Sequence, residues 1–230
     1  MHDFFVIGHR GAAGEQFENS LSGFKHALAL DIDAIELDIQ AHSGELWVIH
    51  DQELNRLTGS SGRFDSCQDP GSLRLLNSEP IPKLCEVLDL YWGKMPINIE
   101  IKSPDTASML LELLDRYPVI EQESAFPWIL ISSFDHAQIN DLKRLSSRWE
   151  LAPIISRIPA NTLQLIDEIK PYSLHMDDKY LDYSLIQQVQ QRGVRVMIFT
   201  VNDPRHALDL KKAGIDGIFT DYPSVLNDID

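Results

Sequence analysis

From Phe4 to Phe219 the chain alternates short apolar runs with amphipathic stretches of helical length, the pattern produced when parallel strands are joined by crossover helices. The clearest repeats lie toward the end. Asp182 to Arg192 reads as a helix that Gly193 stops, and Arg195-Val196-Met197-Ile198-Phe199 follows as a buried strand. Asp203 is then placed to cap a helix with Pro204 in its first turn. That helix runs to Ala213, Gly214 ends it, and Gly217-Ile218-Phe219 forms the next strand. The same rule puts strands near Phe4 to Gly8, Ala34 to Asp38, Ile97 to Ile101, Trp128 to Ser132, Glu150 to Ile154, Ser173 to Met176, Val194 to Phe199 and Gly217 to Phe219. Eight βα units favour a closed α/β barrel of the eight-stranded TIM type over an open doubly wound sheet. His9-Arg10-Gly11-Ala12-Ala13-Gly14 also lacks the GxGxxG pattern of a dinucleotide turn. A chain of 230 residues with 43% hydrophobic content is expected to form one domain across residues 1–230.

One segment breaks the alternation. Leu46 to His50 reads as a strand too close to the strand ending at Asp38 for a parallel crossover, so a hairpin is expected. With a turn centred on Ser43-Gly44-Glu45, residue 42 faces 46 and Asp38 faces His50, which returns the imidazole to the barrel rim. From about residue 51 to 82 the composition turns to Gly, Ser, Asp and Pro around a small Leu73, Leu75 and Leu76 cluster. This predicts a loop-rich insertion after the second strand, placed to cover a substrate.

Barrels of this type carry their chemistry at the C-terminal ends of strands. The first strand delivers His9 and Arg10. The second delivers Glu36 and Asp38, and the third Glu100 and Lys102, each pair two residues apart and so on one face. Three carboxylates in a barrel mouth repel one another unless a cation lies between them. A divalent metal held by Glu36, Asp38 and Glu100 answers this, and oxygen ligands suit Mg²⁺ or Ca²⁺, with Mn²⁺ also accommodated. A metal-free network with Arg10 and Lys102 answers it too, and spacing alone leaves both open. With a metal, Arg10 and Lys102 form a clamp for a phosphate, while His9 and His50 are suited to acid and base. His175 is a candidate contact on the substrate side. His2, His26, His42, His136 and His206 are expected to be solvated, and no Gly-x-Ser-x-Gly elbow is present.

The formal charge of −15 argues against nucleic acid or an anionic membrane surface as partner and leaves a small anionic substrate. The N-terminal apolar run is far shorter than a secretory core, no stretch is long enough for a membrane anchor, and Cys67 and Cys85 lack metal or CxxC spacing. A cytoplasmic monomer or small homo-oligomer is the expectation.

In order along the chain, Gly8-His9-Arg10-Gly11, Glu18-Asn19-Ser20, Ile35-Glu36-Leu37-Asp38, Ile49-His50-Asp51, Asn98-Ile99-Glu100-Ile101-Lys102, Ser132-Ser133-Phe134, Phe199-Thr200-Val201-Asn202 and Thr220-Asp221-Tyr222-Pro223 resemble the glycerophosphodiester phosphodiesterase family of the bacterial cytoplasmic type. The resemblance implies a barrel with a bound divalent cation that hydrolyses glycerophosphodiesters to an alcohol and glycerol 3-phosphate. It implies His9 and His50 as the acid–base pair, Glu36, Asp38 and Glu100 as ligands, and Arg10 and Lys102 on the phosphate. Attack by the glycerol 2-hydroxyl through a cyclic phosphate and direct attack by water are both compatible with it. Phe17 stands where the family usually has proline, Ser43-Gly44 replaces an Asp-Gly turn, and Phe199 replaces a frequent tryptophan or tyrosine and is expected to line the pocket. The stretch from Gly59 to Pro80 is shorter than in many relatives, which implies a mouth open to large headgroups. The alternatives are a phospholipase-like enzyme acting on lipids and a barrel that binds metal or phosphate without turnover.

Overall fold

The computed structural model describes residues 4–120 and 126–226, so His2 lies outside the described residues. The described strands are β1 (Phe5–Gly8), β2 (Ala34–His42), β3 (Glu45–Val48), β4 (Ile97–Ile101), β5 (Ile129–Ser133), β6 (Glu150–Ile155), β7 (Ser173–Asp177), β8 (Arg195–Phe199) and β9 (Gly217–Thr220). They run in the order β1-β9-β8-β7-β6-β5-β4-β2-β3, and β1 also pairs with β2, which closes eight parallel strands into a TIM-type barrel. β3 stands outside the ring as the antiparallel partner of β2.

The two-residue period of the strands sorts their side chains. Ile35, Leu37 and Ile39 of β2, Ile97, Ile99 and Ile101 of β4, and Ile129 and Ile131 of β5 pack with the surrounding helices in one buried cluster. Val6, Leu174, Met176, Val196, Ile198 and Ile218 do the same on the other side. The intervening Phe5, Ile7, Ala34, Leu130, Ala152, Met197 and Phe219 form a separate cluster with Phe126 that fills the barrel interior. Above them the interior turns polar, with Glu36, Asp38, Asn98, Ser132 and His175 all buried. Packing therefore presents these groups toward the barrel axis.

The expected caps hold. Asp182 accepts from Ser184 and Leu185 at the head of helix Tyr183–Gln190, and Asp203 accepts from His206 with Pro204 opening helix Pro204–Lys212. The hairpin differs from expectation by one residue. Its register pairs Ile39 with Val48 and His42 with Glu45, so Ser43 and Gly44 alone form the turn. Both take left-handed φ, 52° and 74°, as a two-residue hairpin turn requires. Asp38 consequently faces Ile49, whose N–H donates to the Asp38 carbonyl at 3.0 Å, and His50 lies just beyond the strand.

The excursion that follows contains helix Asn55–Thr58 and 3₁₀ turns at Phe64–Ser66 and Pro70–Ser72. It has its own small core, in which Leu54, Leu57, Phe64, Leu75 and Ile81 pack on Trp47 and Ile49 of the hairpin arm. The expected leucine cluster reduces to Leu75, with Leu73 half-buried and Leu76 60% exposed. Among the described residues no helix is long and apolar enough to cross a membrane, and Cys67 and Cys85 are free.

Candidate active site

β2 and β4 are neighbours in register, with Asp38 opposite Glu100 and Glu36 opposite Asn98. One carboxylate oxygen from each of Glu36, Asp38 and Glu100 lies within 4.8 Å of the others. Glu36 and Asp38 are 2% and 1% exposed. This crowding shifts their ionisation. Burial, reinforced by the Asp38 and Glu100 charges, pushes the Glu36 carboxyl well above the usual carboxylate range. Burial and Asp38 push Glu100 up as well. Burial acts on Asp38 in the same direction, yet the Lys102 ammonium and Arg10 guanidinium overcome it and hold that carboxyl below its ordinary value.

The cations take part of the metal-free arrangement that spacing had left open. Lys102 Nζ lies 2.6 Å from Glu100 Oε1 and 3.6 Å from Asp38 Oδ1, and Arg10 Nε is 3.3 Å from Asp38 Oδ2. Glu36 is served differently. The Arg10 backbone N–H donates to its Oε2 at 2.9 Å, while its Oε1 is buried without a hydrogen-bond partner. An orphaned carboxylate oxygen at the centre of an acidic triad is the feature a hard cation would satisfy, so the residues fit a divalent ion.

The turn after β1 allows this approach. A Cβ at Gly8 would lie 2.1 Å from the Gly11 carbonyl oxygen, so only glycine lets the chain fold back, and Arg10 sits at φ 49° with its N–H turned toward Glu36. His9 follows directly. Its Nδ1–H donates to Asp221 Oδ1 at 2.6 Å, which leaves Nε2 3.9 Å from Glu36 Oε2. His50 is arranged in parallel, its Nδ1 2.6 Å from Asp51 Oδ1. Burial, aided by Lys102 and Arg10, lowers the His50 imidazole below its ordinary value against the pull of Asp38.

His9, Glu36, Asn98 and Glu100 line one side of a cavity of about 30 Å³, and Ile154, His175, Phe199 and Phe219 line the other. Phe199 stacks edge-to-face with the half-exposed Phe134 at 5.9 Å. His175 is 1% exposed, pairs with Ser173 Oγ at 3.0 Å and packs on Phe219, and burial lowers its pKa to about 3. It is neutral at any physiological pH. Larger openings exist, such as one of about 430 Å³ between helices Ala107–Leu114 and His136–Leu145, but none of the triad lines it.

The structure thus brings His9, Arg10, Glu36, Asp38, His50, Glu100 and Lys102 to one end of the barrel, with Phe199 and His175 on its apolar side. Among the described residues the remaining four histidines are not solvated bystanders. His26 pairs with Glu15, His42 lies in β2 and pairs with the Cys67 carbonyl, His136 pairs with the Ile154 carbonyl, and His206 pairs with Asp178. All four are half-buried.

Several site residues carried no expected role. Asp221 and Asp51 orient the two histidines. Buried Asn19 donates to Asp38 Oδ2 at 2.9 Å, and Glu18 accepts from Arg10 at 2.7 Å. Asn98 donates to Ser132 Oγ at 3.0 Å and leaves its Oδ1 unpartnered beside the triad. Each except Arg56, which clamps Asp51 and Glu18, lies inside one of the short sequence elements quoted above, and that was the available signal.

Comparison with known proteins agrees with this geometry. A glycerophosphodiester phosphodiesterase of Caldanaerobacter subterraneus subsp. tengcongensis is 30% identical over 96% of this chain and 95% of its own length. A human protein named lysophospholipase D GDPD1 is 26% identical over 96% of this chain and 84% of its own. The structure of an Oleispira antarctica phosphodiesterase, in complex with the product sn-glycerol-3-phosphate, superposes with a TM-score of 0.87 at 26% identity, covering 96% of this chain and 94% of that one. The model of the glycerophosphoryl diester phosphodiesterase family matches residues 9–225, from His9 to the helix after β9. The chain therefore belongs to the glycerophosphoryl diester phosphodiesterase family and is an enzyme that hydrolyses glycerophosphodiesters.

Proposed function

We propose that the enzyme releases glycerol 3-phosphate and an alcohol with one divalent cation, Mg²⁺, Ca²⁺ or Mn²⁺, held by Glu36, Asp38 and Glu100, and with His9 and His50 as acid and base. The observation that carries this is the convergence of the three carboxylates with Glu36 Oε1 unpartnered among them. When bound, the cation supplies positive charge that polarises the phosphoryl oxygens and offsets the charge developing on them.

The chain's own residues do the rest. Burial opposes the charges of Arg10 and Lys102, yet the surrounding carboxylates hold both pKa values above their ordinary ones, so both stay cationic and clamp the phosphate. Asp221 and Asp51 each accept an imidazole Nδ1–H, so each histidine presents Nε2 to the substrate. One takes the proton of the attacking O–H and the other gives a proton to the leaving oxygen. Both routes, through the 2-hydroxyl or through water, require this pair. Phe199 and His175, with Phe219 and Ile154, offer an apolar wall to the carbon-bearing parts of the diester. The Oleispira relative's bound product is the compound this reaction releases.

The test is a panel of glycerophosphodiesters with small and large headgroups, assayed for glycerol 3-phosphate, and a lysophospholipid, assayed for its acylated glycerol 3-phosphate and the released alcohol. Chelator should abolish release and added Mg²⁺, Ca²⁺ or Mn²⁺ should restore it. Full turnover in excess chelator would remove the cation from the proposal.

A further inference from the structure

Arg56 stands on the short helix of the excursion, outside the barrel, and no step above uses it. Its guanidinium nevertheless grips two carboxylates of the active face at once. Nε and Nη2 donate to both oxygens of Asp51, at 2.5 and 3.0 Å, and Nη1 and Nη2 donate to both oxygens of Glu18, at 2.5 and 2.9 Å. Bidentate pairing on two sides uses the planar fork in a way an ammonium cannot reproduce. The two clamped residues lead to different arms of the site. Asp51 receives the His50 Nδ1–H, and Glu18 receives Arg10 Nη1. A continuous chain of charged contacts therefore runs His50–Asp51–Arg56–Glu18–Arg10–Asp38.

The two ends do not depend on Arg56 equally. Glu18 keeps Arg10 as a second partner, and Arg10 keeps Asp38. Asp51, among the described residues, has Arg56 and His50 as its charged contacts, and the hydrogen bonds from Arg56 and then His50 hold its carboxyl down to about 2. The clamp itself is fixed from behind, because Leu54 and Leu57, which flank Arg56, are buried in the excursion's core with Phe64, Leu75 and Ile81.

We propose that Arg56 is a positioning residue that locks the Asp51 carboxylate and, through it, the ring orientation of His50, so that the excursion braces the acid–base machinery. This rests on the assignment of proton transfer to His50. The effect should fall on kcat, because the ordering acts in the transition state, while the phosphate clamp of Arg10 and Lys102 and therefore KM stay nearly unchanged. Losing the group that holds a histidine's carboxylate partner in place should cost about 10- to 100-fold.

Arg56→Lys and Arg56→Gln are measured in the metal-supplemented enzyme alongside His50→Ala and Asp51→Asn. The side chain is 48% exposed, so both Arg56 variants should fold, which the melting temperature checks. Expected are a kcat loss of about tenfold or more in each, KM within about threefold, and little further loss when Arg56→Lys is added to Asp51→Asn. The low-field proton resonance of His50 Nδ1–H, identified by its disappearance in Asp51→Asn, should broaden in both. If His50→Ala retains turnover, the acid–base assignment of His50 fails, whatever Arg56 does. If His50→Ala is inactive while both Arg56 variants keep kcat within about twofold and the resonance stays sharp, the positioning role of Arg56 is overturned.

Discussion

His175 offers a quantitative check on how dry the barrel interior is beside the site. Burial lowers its pKa to about 3 from 6.5, so the folded protein holds it neutral where the unfolded chain protonates it. A base depressed in this way contributes stability that is present above its unfolded pKa and is lost as pH falls from about 6.5 toward about 3. With about 1.4 kcal/mol per pH unit, protonation of the unfolded state alone costs about 0.2 kcal/mol at pH 7 and about 2 kcal/mol at pH 5. His175→Gln keeps a polar group near Ser173 Oγ and removes the titration. Urea unfolding of both proteins in chelator should therefore show the wild-type-minus-variant stability falling by about 2 kcal/mol between pH 7 and pH 5. Titrations common to both proteins, including those of Glu36 and His50, cancel in the difference. A difference that stays flat across that range would mean that His175 is hydrated and that the apolar wall is not dry.

Two further outcomes follow from the acidic triad and its neighbours. Glu36→Gln removes one of the crowded buried charges, so it should raise the melting temperature of the metal-free protein while erasing the stabilisation that a saturating divalent cation gives the wild type, about 2.7 kcal/mol at 100 times Kd. A variant still stabilised by the cation would exclude Glu36 as a ligand. Asp221→Asn should lower kcat about 10- to 100-fold with a nearly unchanged melting temperature, since it frees the His9 ring from its Nδ1–H partner. Retained kcat would show that His9 needs no orientation.

Much of the site was legible because it follows from local periods. A strand's alternation placed Glu36 with Asp38 and Glu100 with Lys102, and capping chemistry placed the helices after Asp182 and Asp203. The hairpin was legible in kind but its register was not. Ser43 was read as one of three turn residues, whereas Ser43 and Gly44 close the turn by themselves, and one residue of slip moves Ile49 into the place expected for His50.

The sequence by itself determined which side chains face the barrel axis, because backbone geometry and the need to bury the intervening isoleucines and leucines are local demands. Only the tertiary structure decided who partners whom. Asp221 reaches His9 because pairing of β1 with β9 sets Gly8 beside Thr220, and Glu100 reaches Asp38 because β4 rather than β3 continues the ring beside β2. Arg56 reaches Asp51 and Glu18 because a small core inside a loop-rich excursion aims it there. Such partners are fixed by barrel closure and strand register, which depend on the summed packing of the whole chain and leave no periodic trace near any one of these residues.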